Sequence, residues 1–304
     1  MRFATDWRCA AALSLLMLVT GCVRVAEPEA GPAPAIVAPT STPAPPPAPV
    51  RRELVLSGAA EQGAIVTGRV SAGVRSLMLD GKPVPVAPDG GFLIGFDRDA
   101  GVGAELVATF ADGQRIVRSI AVAAGRWRLE HINAPYRGSA SSDADFARRR
   151  PVELAAIAAA RSKEVESDGW RQGFRWPITG RLSGFFGAQR IYQGKPGAYH
   201  SGTDIAAPAG TPFVAPADGV VTLAAETPFT LEGHLLIVDH GMGLSSAFLH
   251  CQRLDVKVGD RVVQGQRLGT VGRTGRATGP HMHWGLTWRG WRLDPGKLAG
   301  PIGG

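Results

Sequence analysis

Apolar positions recur along this chain with two different periods, and the change of period divides it into parts. From residue 54 to about 128, short β-rich runs cover 64–70, 76–79, 92–96, 105–110 and 115–122. Asp80-Gly81, Asp89-Gly90 and Asp112-Gly113 separate such runs. These dipeptides favour hairpin turns because their backbones accept positive φ. Short strands at regular spacing predict a small immunoglobulin-like β-sandwich over 51–130. Residues 142–167 are rich in good helix formers, with Pro151 suited to a first turn and Gly169 past the end. They predict a helical linker within 131–169. Period two returns at 281–288, where Met282, Trp284, Leu286 and Trp288 share one strand face and His281 and His283 the other. The run 244–250 also reads as a strand and closes on His250.

The N-terminus carries an address. Arg2 and Arg8 precede the apolar run 10–19. Ten residues are half the ~20 needed to span a bilayer, so the run fits a cleaved signal. It ends in Val19-Thr20-Gly21-Cys22, which resembles a bacterial lipobox with Cys22 as the lipidated residue. The expected order is a signal peptide over 1–21, then a lipid anchor and tether over 22–50. Nine prolines among the 24 residues 26–49 predict an extended spacer. Val23 after Cys22 resembles lipoproteins of the outer membrane, facing the periplasm in a Gram-negative organism. The expected location is therefore the cell envelope.

Charge and cysteine content narrow the function class. The net charge is +7, and 171–304 holds 14 Lys/Arg against 8 Asp/Glu. That balance suits an anionic polymer or surface. No basic block is interleaved with aromatics, which argues against nucleic acid. Three cysteines rule out a disulfide scaffold, and Cys251 reads as a buried thiol.

Six of the seven histidines lie between 170 and 301, and their spacing points to chemistry. His200-Ser201-Gly202-Thr203-Asp204 pairs an imidazole with a carboxylate, and His281-Met282-His283 puts two imidazoles on one strand face. One of that pair can bind a metal while the other moves protons. A catalytic zinc typically takes three N/O ligands and keeps one position open.

This constellation resembles the LytM/lysostaphin-type zinc metallopeptidases, a peptidoglycan endopeptidase family. The resemblance rests on HSGTD for H-x-x-x-D, the run LLIVDHGMGLSSAFLH and the terminal GPHMHW, in that order between about 176 and 295. It is supported by PAGTPFVAPADGVV and VKVGDRVVQGQRLGTVGRTG. It implies a mainly β chain ending in a LytM-type β-sandwich over 170–304. His200, Asp204 and His283 would bind one Zn2+ per chain, and His250 and His281 would be unliganded catalytic histidines. Which of those two is the general base stays open, with His281 favoured by its place beside His283. The implied substrate is the peptide stems of peptidoglycan, cleaved at a D-Ala–diaminopimelate cross-link or, in a wall with glycine bridges, at Gly–Gly.

Phe248-Leu249-His250 stands where the family usually has Tyr-Ala-His, so one hydroxyl is missing. The alternative function is a non-catalytic LytM scaffold or amidase activator. Members of that kind have lost zinc ligands, and this chain retains them. KVGDRVVQGQRLGTVG also resembles carrier domains, but no lysine sits at a hairpin tip for modification. His234 is a candidate substrate-groove residue, and His240 reads as a structural turn histidine. The glycines of 269–279 are expected to rim a peptide groove, and the middle β domain to meet other envelope proteins.

Overall fold

The computed structural model describes Gly21, Gly31 and residues 51–135 and 144–303. Cys22, the expected signal peptide and the tether, apart from those two glycines, lie outside the described residues. The fold is mainly β, as the sequence predicts.

The middle part is built of two antiparallel sheets. One orders Leu54–Ser57, Ile65–Val70 and Gly91–Gly95, and the other Lys82–Pro83, Val74–Leu79, Gly103–Phe110 and Arg115–Ala121. Alternation along these strands turns Val66, Leu77, Leu79, Phe92, Leu106 and Phe110 into a shared core. Glycines at 81, 90 and 113 take positive φ in the turns, as the Asp-Gly pairs required.

The last part is dominated by an eight-stranded antiparallel sheet. Its order is Arg261–Val262, Gly219–Ala224, His234–Asp239, Leu244–Cys251, His281–Trp288, Thr203–Ala206 and Arg181–Gly184. Trp291–Leu293 pairs with the second half of His281–Trp288. One face packs on a three-stranded sheet of Pro212–Val214, Arg267–Thr270 and Arg253–Leu254. Phe213 meets Phe248 there at 5.2 Å between ring centroids, beside the fully buried Trp284 and Met282.

The other face is partly covered by α1, Ala144–Arg161. Its Ile157 and Ala160 pack on Leu235, Ile237 and Ala247. Glu153 is buried and accepts the Thr230 amide at 2.8 Å, and Arg150 forms a two-pronged pair with Glu232 at 2.7 and 2.8 Å. The helix differs from expectation at both ends. Pro151 lies inside it rather than in its first turn, and it stops at Arg161. Ion pairs from Asp145 to Arg148 and Arg149 support the turns before the proline and offset a small part of its cost; the packing of Ile157 and Ala160 on the sheet supplies more.

Residues Val50–Gly304 cluster as one compact unit. Arg98 is buried and donates to the Gly187 carbonyl at 3.1 Å and to Gln189 Oε1 at 2.9 Å. Leu129–Ile132, whose second half falls within the expected helical linker, is instead a strand pairing in parallel with Gln189–Tyr192. A partner sixty residues away leaves no local turn signal, so the pairing was invisible to pattern reading.

Candidate active site

The eight-stranded sheet assembles the predicted histidines. His283 lies opposite Asp204 across the antiparallel pair of Thr203–Ala206 with His281–Trp288. Residues directly opposite share a face, so the carboxylate and the imidazole meet. His200 comes from the preceding loop, where its amide donates to the Ala188 carbonyl at 2.8 Å. His200 Nε2 lies 3.1 Å from Asp204 Oδ1 and 3.1 Å from His283 Nδ1, and His283 Nδ1 lies 2.8 Å from Asp204 Oδ1.

Two close approaches make this triangle possible. Gly184 is the cross-strand partner of Asp204, and a Cβ there would sit 2.8 Å from Asp204 Cγ. A Cβ at Gly202 would sit 2.6 Å from His283 Nε2. Only glycine lets both neighbouring segments press this close.

The donor chemistry fits a small divalent cation. His200 donates from Nδ1 to the Phe185 carbonyl at 3.1 Å, which leaves its Nε2 with a bare lone pair aimed at the other two groups. The separations of 2.8–3.1 Å are slightly tighter than the edge of about 3.3 Å that follows from four ligands at ~2.0 Å from zinc. Burial raises the Asp204 carboxyl, but the His200 and His283 hydrogen bonds outweigh it and hold the group far below the usual carboxylate range. Burial opposes charge on His200, and Asp204 outweighs this too, raising its pKa. Burial lowers His283 despite its bond to Asp204.

His250 and His281 flank the triangle. Their rings stand 4.9 Å apart, and His250 is 6.4 Å from the His283 ring. His281 Nδ1 donates to the Gly279 carbonyl at 2.9 Å, and its Nε2 lies 3.8 Å from Asp204 Oδ1. His250 Nδ1 donates to the Thr274 carbonyl at 2.8 Å. With Nδ1 donating in both rings, each Nε2 carries the lone pair.

His250 reaches the site by breaking its strand's alternation. Leu249 is the residue paired with His283, so His250 would follow Phe248 onto the core face. Its φ of +63° turns the side chain back. A positive φ in a non-glycine residue costs energy and clusters at functional positions. Burial, then the nearby His281 and His283, lower its pKa to about 4. Phe248 is fully buried against Phe213, so the missing hydroxyl would fall among core side chains.

The remaining candidates are not among the five converging side chains. His234 Nδ1 is engaged with the Ala225 carbonyl at 2.8 Å, and its amide donates to Thr274 Oγ1. His240 is fully buried, between the Asp218 carbonyl and Ser246 Oγ at 2.8 and 2.9 Å. Cys251 is buried, and burial pushes its thiol up to about 12. The 269–279 segment contributes backbone carbonyls, at Thr274 and Gly279, that fix two imidazoles.

The description of peptidase family M23 matches residues 198–295, which contain all five of the converging side chains. Residues 198–295 are a peptidase family M23 domain. M23 is a family of metallopeptidases. The chain is similar to peptidoglycan DD-endopeptidase ShyA of Vibrio cholerae, at 40% identity over 143 residues, 46% of this chain and 33% of ShyA. It is also similar to cell division protein DipM of Caulobacter vibrioides, at 32% over 151 residues, 50% of this chain and 22% of DipM. The chain thus spans a third or less of the length of these relatives. A crystal structure of a peptidase M23 from Pseudomonas aeruginosa has a TM-score of 0.62 and 29% identity, covering 80% of this chain and 96% of that one.

The five converging side chains are legible in the sequence, and what holds them is not. Gly184 and Gly202 carry no chemistry of their own. The Phe185, Thr274 and Gly279 carbonyls set imidazole tautomers from backbone positions that any residue could supply.

Proposed function

We propose that this protein is a zinc-dependent endopeptidase that hydrolyses peptide cross-links of bacterial peptidoglycan. The observation that carries the reading is the convergence of His200, Asp204 and His283 within an M23 domain, with two further imidazoles beside them. The similarity to peptidoglycan DD-endopeptidases supports the substrate class. His200 Nε2, Asp204 Oδ1 and His283 Nδ1 would hold the ion, one per chain. Bound zinc supplies Lewis acidity toward the scissile amide and the attacking water.

The chain's own groups move the protons. His281, with Nδ1–H committed to Gly279, accepts the water proton at Nε2 and returns it to the leaving amine. His250, fixed through Nδ1–H on Thr274, accepts a hydrogen bond from the attacking water at Nε2 and so orients it. No serine or cysteine nucleophile is needed, and the buried Cys251 takes no part.

Lipidation at Cys22, followed by the proline-rich spacer, would anchor this domain to an envelope membrane facing the wall. The positive balance of 171–304 suits that anionic polymer. The test is metal analysis of the purified protein with chelation and zinc rescue of peptidoglycan solubilisation. The reading requires near-stoichiometric zinc and rescue. Solubilisation that survives complete metal removal would refute it.

A further inference from the structure

A cavity of about 140 Å³ opens beside His283, between α1 and the exposed face of the eight-stranded sheet. Its volume is far above the roughly 10–15 Å³ that admits a single water. Register explains its floor. His283, Gly285 and Thr287 alternate onto one face of their strand, and Arg292 is the direct partner of Thr287 on the next strand. Arg292 therefore projects on the His283 side. Arg161, in the last turn of α1, lines the same cavity from above.

The charges lining this cavity do not cancel. Arg150 and Glu232, both on its wall, satisfy each other through the two-pronged pair. Arg161 and Arg292 are then left over. Among the described residues neither forms an ion pair with a carboxylate. Arg292 instead lies 5.7 Å from the centre of the Tyr199 ring. Burial of the Arg161 guanidinium, then the charge of Arg292, lowers its pKa, against the opposing charge of Glu232. Glu232 is the carboxylate that acts on Arg161, and its oxygens are already held by Arg150, so two like charges stay close with a cost in free energy that a bound anion would recover.

The cationic excess also continues. Arg161 borders a second cavity of about 450 Å³, whose wall includes Lys82, Lys163 and Arg289 against one carboxylate, Glu164.

We propose that Arg161 and Arg292 form a substrate subsite that receives a free carboxylate of the peptide next to the bond being cleaved. Guanidinium groups suit this because their planar fork matches a carboxylate. The subsite rests on the endopeptidase reading for its place in a reaction, but not for its existence. It would select peptide stems with a free carboxylate over amidated ones, and α1 would contribute to specificity through its final turn.

The test separates the two claims. Binding of N-acetyl-D-alanyl-D-alanine and of its C-terminal amide to the metal-free protein is measured by calorimetry. Cleavage of two cross-linked peptides that differ by the same amidation is measured on the zinc-loaded protein. One charge-assisted contact predicts a preference for the carboxylate of about tenfold. Arg161→Gln and Arg292→Gln should each reduce that preference to about twofold, while Arg161→Lys keeps part of it. Thermal melts on the same samples confirm that the variants fold. Equal binding of the two probes, no binding of the carboxylate at millimolar concentration, or a preference that survives both glutamine variants overturns the subsite. Failure to cleave either peptide with the binding preference intact refutes the endopeptidase reading and leaves the subsite standing.

Discussion

Replacing Gly184 by alanine should weaken zinc binding at the proposed site while leaving the fold. Gly184 faces Asp204 across the strand pair, and an added Cβ would lie 2.8 Å from Asp204 Cγ and 3.0 Å from Asp204 Cβ. Ordinary carbon–carbon contact is about 3.5–4.0 Å, so the carboxylate must move by about 0.7 Å or more. It cannot move freely, because Oδ1 is engaged by both His200 and His283. Metal sites tolerate ligand displacements of only about 0.2 Å. The expected loss of zinc affinity is about tenfold to a hundredfold, the range seen when ligand-positioning groups are disturbed. Local overpacking should lower stability by about 1–3 kcal/mol. Zinc affinity is read by competition with a chromogenic chelator, and folding by a thermal melt of the metal-free protein. Unchanged affinity in a folded variant would show that Asp204 is not held by this close approach, and would remove the steric argument for the triangle.

His281→Ala and His250→Ala should each retain zinc and lose about a hundredfold to ten-thousandfold in cleavage rate; zinc loss in either would mean that a ligand and a proton carrier have been exchanged. Ile157→Ala should weaken the docking of α1 by about 2–4 kcal/mol, read as faster hydrogen exchange in the helix with the sheet unchanged. His240 has its pKa lowered to about 4 by burial, so its neutral form stabilises the fold fully above about 6.5, and this is lost as pH falls toward 4. That is about 3 kcal/mol, and His240→Asn should abolish this part of the acid sensitivity. Asp239, raised to about 6 by burial, acts in the opposite sense over nearly the same range, so denaturation of the variant must be compared with wild type at each pH. Cys22→Ala should release the protein from the membrane fraction; retention after a salt wash would contradict lipidation there.

The site was legible where chemistry and spacing coincide. His281 and His283 declared a shared face because Met282, Trp284, Leu286 and Trp288 between and after them are core residues. Strand pairing then brought Asp204 opposite His283. His250 was legible as a residue but not as a geometry, since alternation alone sends it to the core and only its positive φ returns it. Arg161 and Arg292 are 131 positions apart in sequence, and one surface arginine resembles another until a helix and a strand line the same cavity. The parallel pairing of Leu129–Ile132 with Gln189–Tyr192 was hidden for the same reason. Local patterns report periods and turns, whereas long-range pairing is decided by the whole fold.

The central claim is that the His200–Asp204–His283 centre breaks peptide cross-links in peptidoglycan. Digestion of purified peptidoglycan with the zinc-loaded protein, followed by identification of the released muropeptides, tests it directly. Cross-linked dimers should convert to monomers with glycan strands intact, and Asp204→Ala should abolish the conversion. Intact dimers in the presence of stoichiometric zinc, or equal conversion by Asp204→Ala, would contradict it.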